Sequence, residues 1–368
     1  MIKIDLITGF LGAGKTTFIK KYARYLIEKG QNIGILENDY GAVNVDMMLL
    51  QDLMGDRCEL EMVAGGCHRD CHRRRFKSKL IAMGMCGYDR VLVEPSGIYD
   101  VDEFFDVLQE EPLNQWYEIG NVITIVDANL EPDLSAEADY LLASEVANAG
   151  CVVMSKSRNA SEEEMRETVA HLNRALESVR CGRRFAVETS PGRNPETNGD
   201  PHENNSFCPD SVKDILIKDW DTFQPGDFEK LITCGYVSES YQKMSEDEET
   251  FQSVYFMNIR ISEEQLREAV ADIFADPACG DVFRMKGFLR AANESEMPKS
   301  SATPGLSASS ASSEHDTPEK QWLQLNATRS EITLEPISVG QEVLIVIGEQ
   351  LDEAAIQKHL AGNITGVV

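Results

Sequence analysis

The sequence predicts an α/β protein in which a mainly parallel, doubly wound sheet is followed by a smaller α+β domain. Over the first 220 residues or so, short apolar runs alternate with helical stretches, which is the order of a parallel sheet covered by helices. After a polar loop at residues 190–207, strand-like runs are interspersed with two helical stretches. A chain of 368 residues is also longer than one ordinary core supports, so two domains are expected.

Six apolar runs in the first half are predicted to be buried strands. Their Val, Ile and Leu residues are nearly continuous, as expected of strands covered on both faces. The runs span residues 2–7, 32–37, 90–94, 121–127, 151–156 and 183–189. Helices are expected between them, at residues 15–29, 70–84, 101–109, 136–148 and 161–178.

The second half carries a different pattern. Strands are expected at residues 232–241, 251–261, 281–290, 321–326, 331–337 and 342–348, with one helix opening at Ser262 and another near the end. A Ser/Pro/Ala-rich stretch at about 294–320 has almost no apolar residues to bury and is predicted to be a disordered insertion. The expected domains are therefore residues 1–220 and residues 230–368.

Composition excludes several classes of function. The net charge of −27 repels phosphate over most of the surface and argues against nucleic-acid binding. No run of eighteen apolar residues predicts a membrane span, and the first residues lack the features of a secretory signal. Nine scattered cysteines, an odd number, indicate thiols or metal ligands rather than a disulfide framework, so the cytoplasm is the expected location.

A phosphate-binding loop follows the first predicted strand and opens the first helix. Residues 7–17 read ITGFLGAGKTT, which contains the G-x-x-x-x-G-K-[ST] pattern. Glycines allow backbone N–H groups to surround phosphate oxygens, the lysine reaches the β- and γ-phosphates, and the threonine hydroxyl is a ligand for Mg²⁺. The predicted nucleotide-binding residues here are Gly9, Gly12, Ala13, Gly14, Lys15, Thr16 and Thr17.

Acidic residues follow two other predicted strands. Glu94 ends the run VLVE, where a carboxylate can hold Mg²⁺ directly or through water, and Gly97 can offer its N–H to a γ-phosphate. Glu37, Asp39 and Asp46 lie in or near the loop after the second strand. A nucleoside triphosphate and its Mg²⁺ can order such a loop. As solvated loop acids, the same residues need no function.

Four stretches together resemble the CobW family of P-loop GTPases. They are TGFLGAGKTT at residues 8–17, ENDYGAVNVD at 37–46, VLVEPSGI at 91–98 and FRMKGFLRAA at 283–292. The resemblance spans nearly the whole chain apart from the polar loop and the Ser-rich insertion. It implies a GTP-hydrolysing protein of the metal-insertion type, with GTP or GDP, a transition metal and a client metalloprotein as partners.

The stretch that would read the base departs from the N-K-x-D pattern of GTPases. Lys156 is present, but Ser155 replaces the asparagine and Arg158 stands where the aspartate is expected. Arginine has only donors and cannot accept hydrogen bonds from guanine. GTP is favoured by the resemblance, and a neighbouring acid or backbone carbonyl groups could replace the missing acceptor. Use of ATP stays open.

The segment GGCHRDCH at residues 65–72 departs from the family pattern Gly-Cys-x-Cys-Cys. Cys67 matches, and Cys71 comes one residue late. If the segment is helical, Cys67 and Cys71 share one face and His68 and His72 form a second pair beside them. Thiolate and imidazole are ligands of Zn²⁺, Co²⁺ and Ni²⁺. Following the family resemblance, Glu37 or Asp39 could complete such a site; the alternative is a solvated helix start.

The leading hypothesis is a metallochaperone whose metal affinity depends on the bound nucleotide. Lys15, Glu94 and Asp39 are the expected catalytic residues. Lys156 is expected at the base, and Thr16, Glu37, Cys67, His68, Cys71 and His72 at the metals. No glutamine or arginine obviously activates water, so slow hydrolysis is expected. Two alternatives stay open: an ATP-using kinase or ligase-like enzyme, and a nucleotide-binding regulatory protein with degenerate catalysis.

Overall fold

The computed structural model describes residues 1–39, 45–64, 69–97, 99, 101–185, 214–243, 251–259, 261–290, 322–337, 340–360 and 364–367. The chain divides into two compact units, Met1–Asp247 and Glu248–Val368. Residues 214–243 fall within the first unit in this division. The polar loop at 190–207 and the Ser-rich stretch at 294–320 lie outside the described residues, so the disorder expected of the latter stays a prediction.

The first unit is built on a seven-stranded parallel sheet. The strand order is β3-β2-β4-β1-β5-β6-β7, with every pairing parallel. The predicted doubly wound parallel sheet is therefore confirmed. The strands are β1 (Ile2–Thr8), β2 (Ile33–Asp39), β3 (Cys58–Ala64), β4 (Arg90–Pro95), β5 (Tyr117–Asp127), β6 (Cys151–Ser155) and β7 (Ile215–Ile217).

Helices cover both faces of this sheet. Leu6 packs in one apolar cluster and its neighbour Ile7 in another, because successive side chains of a strand point to opposite faces. Burial on both sides explains the near-continuous apolar runs. The helices are α1 (Lys15–Glu28), α2 (Val45–Leu50), α3 (Arg69–Met83), α4 (Val101–Gln109), α5 (Leu113–Trp116), α6 (Ala136–Ala147), α7 (Glu162–Ser178) and α8 (Pro225–Leu231).

Three details of the first unit differ from expectation. The edge strands β3 and β7 were not predicted; β3 alternates charged and buried residues, as an edge strand does, and β7 is only three residues long. The strand expected at 183–189 is wrong for residues 183–185, which are irregular, and its remainder is not described. The strand expected at 232–241 is also wrong. That segment follows α8 as turns, with one isolated bridge between Ala149 and Tyr236.

The second unit contains a six-stranded antiparallel sheet in the order β11-β10-β9-β12-β8-β13. Apolar residues of its two helices, such as Val270 and Ile356, are buried in one cluster with strand residues. The elements are β8 (Phe251–Ile259), α9 (Glu263–Ala275), β9 (Asp281–Arg290), β10 (Trp322–Ala327), β11 (Ile332–Ile337), β12 (Val343–Glu349), α10 (Glu353–His359) and β13 (Ile364–Val367). No helix in the described part of either unit is long and apolar enough to cross a membrane.

Two residues of the stretch FRMKGFLRAA, Gly287 and Arg284, have structural roles in the second unit. Gly287 lies in the centre of the sheet, where a Cβ atom would come within 2.1 Å of the carbonyl oxygen of Val343. Glycine therefore allows β9 and β12 to pair closely. Arg284 Nε donates to Asn326 Oδ1 at 3.1 Å, which ties β9 to its other neighbour, β10.

Candidate functional site

The phosphate-binding loop connects β1 to α1 through glycines with positive φ. The φ angles are 144° at Gly9, 78° at Gly12 and 99° at Gly14, in a range that L-residues rarely adopt. A Cβ atom on Gly9 would lie 2.2 Å from the carbonyl oxygen of Ile125. Helix α1 begins directly after Gly14, so its first N–H groups lie beside the loop. The loop has the conformation that a phosphate-binding backbone needs.

Lys15 is folded over this loop. Its side chain is almost completely buried, and its Nζ donates to the Gly9 carbonyl oxygen at 2.7 Å. The ammonium group thus lies next to the backbone that would surround phosphate. A phosphate oxygen could take over this hydrogen bond without a large movement of the lysine stem.

Thr16, Glu94 and Glu37 meet at the carboxyl ends of β2 and β4. Thr16 Oγ1 donates to Glu94 Oε1 at 2.8 Å, and Glu37 is the register partner of Glu94. The two carboxyl groups are close enough to hydrogen-bond. Burial, followed by the nearby charge of Asp46, raises the pKa of Glu94, whereas Glu37, Lys15 and Thr16 act in the opposite direction.

This group fits a divalent cation with oxygen ligands. Glu94 Oε2 and both polar atoms of the Asn38 amide are buried and have no hydrogen-bond partner among the described residues. Buried polar atoms without a partner are unusual in native proteins. The hydroxyl of Thr16 and the carboxylates of Glu37 and Glu94 are the oxygen donors that Mg²⁺ prefers, and a hydrated cation would satisfy the remaining oxygens.

Glu145, which sequence reasoning missed, lies behind the phosphate loop. It is fully buried on α6 and accepts a hydrogen bond from Thr8 Oγ1 at 3.2 Å. Burial raises its pKa to about 8, although Lys15, Thr8 and the N–H of Gly9 act against that shift. The available signal was an acid within the mostly apolar run LLASEVA of a buried helix.

Lys156 and Arg158, at the expected base-binding stretch, each form an ion pair. Lys156 follows β6 with φ of 53°, and its Nζ lies 2.8 Å from Asp127 Oδ2 at the end of β5. Arg158 Nε lies 3.1 Å from Asp219 Oδ2. Asp219 comes from the loop after β7, which pairs with β6. The position where GTPases carry an aspartate therefore holds Arg158, which contacts an acid from the loop after the neighbouring strand.

The loop carrying Asp219 lies against the phosphate loop. Asp219 caps a short 3-10 turn, Trp220–Thr222, by accepting a hydrogen bond from the N–H of Asp221. A Cβ atom on Gly14 would lie 3.4 Å from Trp220 Cζ2. Asp219 was missed because its relevance depends on the pairing of β6 and β7. The only local signal was an acid shortly after the apolar run ILI.

The expected γ-phosphate and transition-metal residues are described only in part. Gly97 packs against the phosphate loop so closely that a Cβ atom there would lie 2.8 Å from the Leu11 nitrogen. Cys67 and His68 lie outside the described residues, and nothing is described of the Asp39 side chain. On α3, Cys71 is half-buried and His72 is fully buried. Among described side chains, one group of three close metal-ligand atoms occurs, and it lies in the second unit.

Strand register places the end of β3 beside this site. Ala64, the last residue of β3, pairs with Asp39, the last residue of β2, and β2 in turn pairs Glu37 with Glu94. Neighbouring strands lie about 4.8 Å apart. Ala64, three residues before Cys67 in the sequence, therefore lies roughly two strand spacings from β4, the strand that carries Glu94.

Comparison with known proteins identifies the first unit. A family model described as CobW/HypB/UreG, nucleotide-binding domain, matches residues 3–185. The zinc chaperone YjiA of Escherichia coli (strain K12) is 30% identical over 184 residues, covering 47% of this chain and 55% of that protein. The zinc chaperone YeiR of the same organism is 28% identical over 164 residues, covering 44% and 49%.

A third relative is likewise named for zinc. The zinc-regulated GTPase metalloprotein activator 1 of Schizosaccharomyces pombe is 23% identical over 184 residues, covering 47% of this chain and 44% of that protein. The chain spans about half the length of each of these relatives. The matched part includes the phosphate loop, Thr16 and Glu94. Residues 3–185 therefore form a nucleotide-binding domain of the CobW/HypB/UreG family, as the motifs of the sequence predict.

Proposed function

We propose that the protein is a GTP-hydrolysing metallochaperone that carries a transition metal to a client protein and whose metal affinity depends on the bound nucleotide. The observation that carries the proposal is the register of β3, β2 and β4. It pairs Ala64, three residues before Cys67 in the sequence, with Asp39, and it pairs Glu37 with Glu94. Cobalt and nickel share the relevant ligands, but the names of the relatives favour zinc.

In this proposal the first unit binds GTP on its phosphate loop. Lys15 exchanges the Gly9 carbonyl for the β- and γ-phosphates, and backbone N–H groups from Gly12 to Thr17 surround the phosphate oxygens. Thr16 and Glu94 would hold Mg²⁺, which would supply positive charge beside the phosphates. Gly97 approaches the γ-phosphate through its backbone N–H, since no side chain blocks it.

Glu37 is the proposed link between nucleotide and cargo. It faces Glu94 on one side of β2, and its own strand lies next to β3, which leads into Cys67. With Asp39 it either positions the attacking water or completes the transition-metal site with Cys67, His68, Cys71 and His72. Loss of the γ-phosphate would change the charge near Glu37 and so change the affinity for the metal.

The loop after β7 supports a preference for guanine. Guanine presents the donors N1–H and N2–H₂, which require an acceptor. Asp219 places a carboxylate beside Arg158, the residue at the usual acceptor position, and Trp220 fixes this loop against Gly14. We therefore assign Asp219 as the replacement acceptor, with Lys156 packing at the base.

The direct test is a metal titration of purified, metal-stripped protein in the presence of a chromogenic competitor. Wild type is compared with Cys67→Ser/Cys71→Ser and with the control Cys86→Ser, which removes an exposed thiol elsewhere. Each protein is titrated with Zn²⁺ in the presence of a non-hydrolysable GTP analogue, with GDP, and without nucleotide. We expect tight binding in wild type and in the control, a difference between the two nucleotides, and loss of binding in the double variant.

Two outcomes would redirect the proposal. Equal zinc affinity with GTP analogue and GDP would refute nucleotide control. Unchanged binding in the double variant would remove Cys67 and Cys71 from the metal site. Turnover measurements with GTP and ATP separate the proposal from the two alternatives. ATP hydrolysis coupled to an acceptor would indicate a kinase or ligase-like enzyme. Nucleotide binding without hydrolysis would indicate a regulatory protein. The proposal places the protein in the cytoplasm, where thiol ligands remain reduced.

A further inference from the structure

Three side chains of metal-ligating type meet in the second unit. They are Asp276, Cys279 and His359, and their ligand atoms all lie within 4.8 Å of one another. Asp276 follows the end of α9 and caps the short 3-10 turn Pro277–Cys279, whereas His359 is the last residue of α10. The cluster is separate from the nucleotide site and from the Cys67–His72 segment in the sequence, and it has no part in the proposed function.

The backbone holds the two contributing segments together. The N–H of Asp352 donates to the Cys279 carbonyl oxygen at 3.2 Å, and Asp352 also caps the start of α10. Gly280 has φ of 90°, and a Cβ atom there would lie 2.4 Å from the carbonyl oxygen of Gln350. Glycine thus allows the loop to contact the start of α10. His359 then lies almost two helical turns further along, over the same loop.

The three residues of the cluster differ in their exposure to solvent. Cys279 is fully buried, whereas the side chains of His359 and Asp276 are 25% and 38% exposed. His359 Nε2 lies 2.9 Å from Asp276 Oδ2, and the other oxygen of Asp276 accepts from the Ala278 N–H at 2.9 Å. The sulfur therefore lies at the bottom of the cluster, and the nitrogen and oxygen atoms lie at its solvent side, where an ion can enter.

We propose that Asp276, Cys279 and His359 form a second transition-metal site, one that binds Zn²⁺ or Co²⁺ and leaves one coordination position to water. One sulfur, one nitrogen and one oxygen donor suit these borderline ions and do not suit Mg²⁺, which takes oxygen ligands. Zinc bond lengths of about 2.0–2.3 Å place tetrahedral ligand atoms roughly 3.3–3.8 Å apart. The longest separation therefore shortens by no more than about 1–1.5 Å, and the 2.9 Å between His359 Nε2 and Asp276 Oδ2 widens slightly.

An open position suits a site that exchanges its metal. Structural zinc sites use four protein ligands, whereas sites with three keep a position for water or another ligand. Metal binding replaces the proton of the Cys279 thiol, which passes to solvent with no change of oxidation state.

An ion pair between His359 and Asp276 would by itself explain two of the three residues. It would not require a thiol at the same point, and it would bind no metal. The two explanations differ in one observable, a thiolate–metal bond to Cys279. Thiolate bound to Co²⁺ gives a charge-transfer absorption in the near ultraviolet, which neither the ion pair nor a carboxylate-bound cobalt produces.

The experiment uses the full chain with Cys67→Ser/Cys71→Ser, so that failure of the first-unit site cannot affect the result. This protein is titrated with Co²⁺ alone, and Zn²⁺ is then added. Three further variants in this background each remove one ligand: Cys279→Ser, His359→Gln and Asp276→Asn, the last of which keeps an oxygen to cap Ala278. Cys181→Ser, which removes another buried thiol, is the matched control.

We expect one charge-transfer band per chain that Zn²⁺ abolishes. Each ligand variant should weaken cobalt binding by at least about tenfold, since even outer-shell changes at metal sites have effects of that size. The control should keep the band. Absence of the band from the folded background protein, or a band that persists in His359→Gln and Cys279→Ser, would overturn the proposal. If Cys279→Ser does not fold, the variant at His359, whose side chain is 25% exposed, still provides the test.

Discussion

Replacing Glu145 by glutamine should remove a pH-dependent destabilisation of the first unit. Burial raises the pKa of Glu145 from its ordinary value of 4.5 to about 8. At a pH between these two values the folded protein holds a proton that the unfolded chain has released. The stability of wild type therefore falls as the pH rises from about 4.5 to about 8, because the unfolded state binds fewer protons over that range.

The size of the effect follows from the pKa shift. Each pKa unit corresponds to about 1.4 kcal/mol, and Glu145 is fully buried, so solvent screening does not reduce this figure. Between pH 5 and pH 8 this one carboxyl should lower the free energy of unfolding by roughly 3 kcal/mol. Glutamine does not titrate. Its amide changes the free energy of unfolding by the same amount at every pH. The pH dependence of the difference in unfolding free energy between variant and wild type therefore reports the Glu145 carboxyl alone.

The assay is urea unfolding at several pH values from 5 to 8, without nucleotide. The chain has three tryptophans, of which Trp116 and Trp220 lie in the first unit. A Trp322→Phe background therefore makes fluorescence report the first unit. Glu118→Gln, which changes an exposed glutamate on β5, is the control. A stability difference between Glu145→Gln and its parent that stays constant from pH 5 to pH 8 would refute the reasoning.

Two further predictions concern the nucleotide site. Asp219→Asn should lower the preference for GTP over ATP by about tenfold, which is the cost of losing one hydrogen bond to a charged group. Arg158→Asp should increase this preference, and the control Asp221→Asn should leave it unchanged. A GTP/ATP preference that is unchanged in both Asp219→Asn and Arg158→Asp would disprove this placement of the base. Glu94→Gln should abolish the gain in nucleotide affinity caused by Mg²⁺. Because burial raises the pKa of Glu94, that gain should weaken as the pH falls in wild type and in Glu118→Gln, and a pH-independent gain would contradict its role as a ligand.

The parts of the site that were predictable are local in sequence. Gly9, Gly14, Lys15 and Thr16 lie within eight residues, so their pattern is visible without a fold. Glu94 was predictable because it ends an apolar run, and parallel strands carry ligands at their carboxyl ends. Edge strand β3 was missed because it buries one face only, so its charged residues hide the apolar pattern.

The amino-acid sequence alone determined the class of sheet and the phosphate-binding loop, since apolar periodicity and glycine conformation act over a few residues. Only the tertiary structure decided which distant groups meet. The pairing of Glu37 with Glu94 depends on strand register, and the contact of Arg158 with Asp219 depends on which strand lies beside β6. Asp276 and His359 are 83 residues apart, and two helices and a glycine turn bring them together. Such contacts follow from packing between elements, which no local pattern encodes.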